Sequence, residues 1–207
     1  MTATATRSEF TTESSKASLG YNKPQQMGRR LWAPMFVMGL MGFIVGVILS
    51  WVRAAEIASA SPDTDTIASL GHLVPAFMFI GFIGVFSAIS FAVARILGVF
   101  RKGGGEVQQA TGSRVDTLKM PTTAKVFMLA MAMGMMTIAL MVVLHFIAAA
   151  NASSWTAESV ERWSVVLEGF RRLGVALYLF GIAFGLGTII TVLRFQASRI
   201  RQLPDPA

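Results

Sequence analysis

Residues Val126–Ala150 read VFMLAMAMGMMTIALMVVLHFIAAA, twenty-five positions without an Asp, Glu, Lys or Arg. A helix needs about 20 predominantly apolar residues to cross the hydrocarbon of a bilayer, so this stretch predicts a membrane-spanning helix. The pattern recurs three times, at 31–52 (LWAPMFVMGLMGFIVGVILSWV), at 67–94 and at 173–193. With 54% hydrophobic and 14% charged residues in 207, the chain lies outside the usual balance of a soluble domain. The expectation is an all-α integral membrane protein, a four-transmembrane-helix bundle over residues 31–200.

The segments between the blocks are polar. Residues 1–30 carry few large apolar side chains and predict a disordered tail. Residues 101–124 hold the run Gly103-Gly104-Gly105 and predict a flexible connection ending at Pro121, Thr122 and Thr123, which suit a helix start. Residues 201–207 form a short C-terminal tail.

The charges orient the bundle. Of 18 Lys and Arg, all but Arg53, Arg162, Arg171 and Arg172 fall in the N-terminal tail, the central connection or the C-terminal end. The positive-inside rule therefore places both termini and the connection in the cytoplasm, and the protein in the cell inner (plasma) membrane. Trp32, Trp51, Trp155 and Trp163 fall at predicted helix ends, where interfacial aromatic residues belong. The net charge of +7 would suggest nucleic acid in a soluble protein; distributed in this way it suits lipid headgroups, and no nucleic-acid partner is expected. The first apolar run resembles a signal peptide before ASASP, but it exceeds the 7–15 residues typical of one, and Arg53 interrupts the approach to the small residues, so a retained helix is expected. In SSWTAESVERWSVVLEGFRR, Thr156 suits a helix cap, and the apolar spacing predicts a segment that lies on the membrane or extends the fourth helix.

Cysteine is absent, which excludes disulfides, thiolate chemistry and covalently attached haem. The apolar blocks contain no acidic residue, and no phosphate loop, zinc-protease motif or hydrolase set occurs, so the chain is not expected to be a catalyst on its own. Small residues at Gly42/Gly46, Gly81/Gly84 and Gly181/Gly185 permit close helix contacts. Alignment of FIGFIGVFSAISFAVAR with LFGIAFGLGTIITVLR suggests that the two helical hairpins form a diverged tandem repeat.

The two histidines are the chemical oddity. His72 in ASLGHLVPAFMF and His145 in ALMVVLHFIAAAN each sit about five residues inside the outer end of a predicted helix, and consecutive helices run antiparallel. Both imidazoles therefore fall at one level near the outer face. Ionisable groups in a span tend to face the bundle interior and mark function. Two facing imidazoles can supply both axial ligands of a haem b, with Gly71, Ala76, Ala148 and Ala149 as small neighbours and Arg53, Arg171 and Arg172 as cations for its propionates. A copper or zinc ion is a second use of the pair, Met141 standing one turn before His145; a third is a neutral histidine bonded to a neighbouring helix. The stripe Val142, Ile138, Met135, Met131 and Met128 reads as flexible core filler. Pro75 predicts a bend beside His72.

Four helices with one histidine on each of two antiparallel neighbours are similar in outline to small cytochrome b subunits that anchor respiratory enzymes. That outline implies a haem b electron-transfer subunit. The alternatives are a non-enzymatic scaffold or assembly subunit and a small transporter component. In each case the expected partners are the lipid bilayer and other membrane subunits or further copies of the chain.

Overall fold

The structure is a computed structural model describing residues 10, 12–14, 20–112 and 115–201. In chain order they form a short strand β1 (Thr12–Ser14), helices α1 (Lys23–Ile57) and α2 (Thr64–Ala110), strand β2 (Asp116–Leu118), and helix α3 (Thr122–Asn151). A 3-10 turn (Ala152–Ser154) and helix α4 (Ala157–Arg201) follow. All four helices are long and apolar enough to cross a membrane.

The helices outrun the apolar blocks because local capping, not hydrophobicity, sets their ends. Asn22 Oδ1 accepts from the Gln25 N–H (3.1 Å) and Gln25 Oε1 from the Asn22 N–H (3.1 Å). This capping box, with Pro24 in the first turn, starts α1 at Lys23, inside the segment expected to be tail. The rest of that tail lies outside the described residues, apart from Phe10, residues 20–22 and β1, which pairs antiparallel with β2 through Thr12–Leu118 and Ser14–Asp116. At the other terminus α4 ends at Arg201, and 202–207 lie outside the described residues. Thr156 does cap α4, its Oγ1 accepting from the Ser159 N–H (3.3 Å), and the stretch after it extends the fourth helix outward.

Asp63 caps α2: its carboxylate accepts the Asp65 N–H (3.0 Å) and the Thr66 hydroxyl (2.6 Å). These bonds, the hydroxyl first, hold its pKa below the ordinary aspartate value. Such a carboxylate contributes stability above its unfolded-state pKa of about 4 and loses it as pH falls through the lower folded value. The protection of the Asp65 and Thr66 amides, relative to their intrinsic exchange at each pH, is therefore expected to fall as the pH drops below that range. Asp63→Asn should keep the cap and abolish the pH dependence.

Two hairpins, α1 with α2 and α3 with α4, join along α2 and α3, and α2 also touches α4. In each the second helix turns a glycine pair to the first, Gly81 and Gly84 on α2 and Gly181 and Gly185 on α4. A Cβ placed on Gly42 would stand 2.6 Å from the Gly81 nitrogen, and one on Gly84 would overlap the Gly39 backbone. Gly181 lies against Met131, and Gly185 against Phe127. The expected glycine contacts are thus made, all within the chain. Ile138, Met141, Tyr178 and Thr188 are the largest fully buried side chains, around which Phe79, Phe127, Met131 and Val142 complete the core. Of the methionine stripe, Met131 is core, whereas Met128 and Met135 are exposed.

The Gly103–Gly105 run is helical, where composition alone reads a flexible connection. The reason is tertiary. Gly105 is buried, and Gly104 touches the side chains of Gln196 and Arg199 on α4, so the absence of a side chain lets α4 approach. Gln196 also donates to the Phe100 carbonyl (2.9 Å). Gly104→Val is expected to turn the ends of Gln196 and Arg199 aside and break the Gln196–Phe100 bond, destabilising the protein by about 1 kcal/mol, measured by thermal unfolding in detergent. Gly103→Val, in open space, should be nearly neutral.

Candidate functional site

His72 lies on the α2 face that repeats as Ser69, His72, Ala76 and Phe79, and His145 on the α3 face containing Ile138, Met141, Val142, Ala148 and Ala149. Helical spacing of three and four puts each set on one stripe. The stripes face each other, and the two imidazole ring centres come to 5.8 Å, the planes inclined by 47°. His145 is 7% exposed, and its Nδ1 is buried without a hydrogen-bond partner, so the bond to a neighbouring helix expected of a structural histidine is not made at that atom.

Two further helices contribute cations, in different ways. Arg53 of α1 lies against Gly71, where a Cβ would stand 3.5 Å from its Nη2. Its Nε is also buried and without a partner. The guanidinium is close enough to act electrostatically on His72. Arg171 and Arg172 instead hold Glu168 on their own helix, the second at 2.8 Å, with their side chains exposed. Of the three arginines expected near the pair, the structure brings Arg53 to it and engages the other two elsewhere.

Rings close the remaining sides. Phe79 stacks on His145 at 6.1 Å, and Trp155, just after the 3-10 turn, stands edge-on to His72 at 6.3 Å. Trp155 stacks in turn on Trp163 (5.2 Å). Inward, the row continues from Phe79 to Phe82 (5.9 Å), Phe86 (6.0 Å) and the buried Tyr178 (4.5 Å). Phe79 was legible, standing seven positions after His72 on the same stripe. Trp155 was not, because the turn that folds it over α2 has no periodicity.

One contact limits the space. Ser69 Oγ donates to the Ala149 carbonyl (3.1 Å), tying α2 to α3 one turn outward of both histidines. Ala76 and Ala148 are fully buried beside the pair, so the small residues there let the helices approach closely.

A metal–imidazole bond is about 2 Å, so two such bonds in line set the ring centres roughly 6 Å apart, close to the spacing found. Among the described residues no group of three or more His, Cys, Asp or Glu converges anywhere in the bundle, the histidine pair included. No family model, curated protein or solved structure matches the chain.

Proposed function

We propose that the chain is a multi-pass protein of the inner (plasma) membrane, with both termini cytoplasmic, that carries electrons on a haem b held by His72 and His145 as a subunit of a larger membrane complex. The observation that carries this reading is the meeting of the chain's only two histidines, on different helices, with a buried imidazole nitrogen left unpartnered. Four apolar helices and the clustering of Lys and Arg in alternate segments support the membrane placement.

The donors fit this use. Neutral imidazoles are haem ligands and Arg53 offers a cation to a propionate, whereas Ala76 and Ala148 let α2 and α3 pack closely and leave the helices to part around the group. A bound haem would supply one-electron redox chemistry. The protein's own part is to hold both imidazoles in place, exclude water with Phe79 and Trp155, and neutralise charge with Arg53. A porphyrin is wider than a helical turn of 5.4 Å, so its binding between α2 and α3 requires the Ser69–Ala149 bond to break.

The experiment is an absorption spectrum with metal analysis of the full chain purified in detergent. A Soret band with one haem per chain is the expected result. A colourless, metal-free protein overturns the reading. Copper or zinc without a Soret band overturns haem and electron transfer through it, leaving a two-imidazole metal site.

A second reading, a non-enzymatic scaffold or assembly subunit, has one observation in its favour. Helix α1 rests mainly on α2 and exposes Phe36, Leu40, Met41, Ile44, Ile48 and Trp51 along its outer side. Since Gly42 and Gly181 are turned inward, a partner subunit would meet an outward face such as this one and not the glycines.

A further inference from the structure

At the end of the bundle opposite the histidines lies a cavity of about 510 Å³, bounded by all four helices, β2 and the segment leading into α3. Its size falls within the roughly 300–1,000 Å³ of small-ligand sites. The lining divides by chemistry. Leu97, Phe127, Val192 and Phe195 make it apolar toward the bundle, whereas Arg101, Lys119, Lys125 and Arg199 bring four cations to it, and among the described lining residues there is no Asp or Glu to oppose them.

The cations are built in and not merely exposed. Arg199 is 3% exposed and donates through Nε to Gln108 Oε1 (2.9 Å), an oxygen that also accepts from its Nη2 and from the Asp116 N–H. Asp116 acts on Arg199 electrostatically but does not line the cavity. The Nε of Arg101 is buried and has no hydrogen-bond partner. A buried donor left unmade is costly, so this atom calls for an acceptor from outside the chain. The β1–β2 pair adds Thr117 and Leu118 to the wall, and Phe10 packs edge-on against Phe195 at 5.7 Å.

We propose that this cavity binds an anionic phospholipid of the cytoplasmic leaflet, its phosphate headgroup held by Arg101, Lys125 and Arg199 and the first part of an acyl chain lying on Phe127, Val192 and Phe195. Arginine supplies directed, charge-assisted bonds to phosphate oxygens. The apolar lining favours a lipid over free phosphate, which could not use it. The inference rests on the membrane placement proposed above and is independent of haem.

The membrane placement is checked first, by resistance of the full chain to alkaline extraction from membranes; release by alkali overturns both it and the lipid site. Lipid binding is then read by native mass spectrometry of the detergent-purified chain with added phosphatidylglycerol or phosphatidylcholine. One phosphatidylglycerol retained at least tenfold more tightly than phosphatidylcholine is expected. Arg101→Gln and Lys125→Gln, nearer the mouth than the buried Arg199 and so less prone to misfold, should each lower that preference several-fold with the fold unchanged by circular dichroism. Equal retention of the two lipids, or retention unchanged in both variants, overturns the lipid site while leaving the membrane placement standing. Displacement of phosphatidylglycerol by inorganic phosphate at similar concentration identifies a free-anion site and overturns the lipid source.

Discussion

Replacing His145 with alanine is expected to abolish the Soret absorbance of the purified protein, and His72→Ala should do the same. The physical reason is that a two-ligand site has no spare donor. Once one imidazole is gone, the rings around the other, Phe79 and Trp155, cannot ligate iron, and the thioether on that stripe, Met141, stands a full helical turn inward of His145. The same truncation leaves a cavity costing about 2 kcal/mol, so a spectral change alone could reflect lost packing. Added imidazole separates the two causes. It should enter the space left in His145→Ala and restore the band, while His145→Leu, which refills the volume without a donor, should stay colourless and as stable as the parent. If His145→Ala and His145→Leu both keep an unchanged Soret band, the site is elsewhere.

Gly42→Leu is expected to have the largest effect on folding, destabilising by about 3 kcal/mol or more, seen as a lower thermal midpoint in detergent. The Cβ alone would lie 2.6 Å from the Gly81 backbone nitrogen, and backbone on a packed helix cannot turn aside as a flexible side chain can. The helices must separate, and with them go the neighbouring contacts of Gly39 with Val85 and of Gly84 with Gly39. Gly46→Leu meets only the end of Met78 and should cost less. Since α1 also carries Arg53 to Gly71, separation of α1 from α2 should disturb the histidine site without touching either ligand.

Much of this was legible in one dimension. Uninterrupted apolar length marks a helix that can span a bilayer, because backbone polar groups have no partner there except within the helix. The glycine spacings marked the faces in close contact, and matching depth on antiparallel helices brought His72 and His145 to one level. Those signals are local or periodic, and periodicity survives folding.

What was not legible depends on which neighbour arrives. The Gly103–Gly105 run reads as flexible because glycine lowers helix propensity, yet it is helical because α4 packs its Gln196 and Arg199 side chains against it. Arg53, Arg171 and Arg172 look equivalent as boundary cations. Only the packing sends Arg53 to the histidines, since Glu168 lies three and four residues before the other two and holds them on α4. The four cations around the cavity come from α2, the segment after β2, α3 and α4. They are as much as 98 residues apart in the chain, from Arg101 to Arg199. The amino-acid sequence by itself determined the four helices, their close faces and the level of the two histidines, because length, spacing and charge act along the chain. The tertiary structure alone decided which arginine lies beside that pair and where the basic cavity forms, because those depend on contacts between residues that no period links.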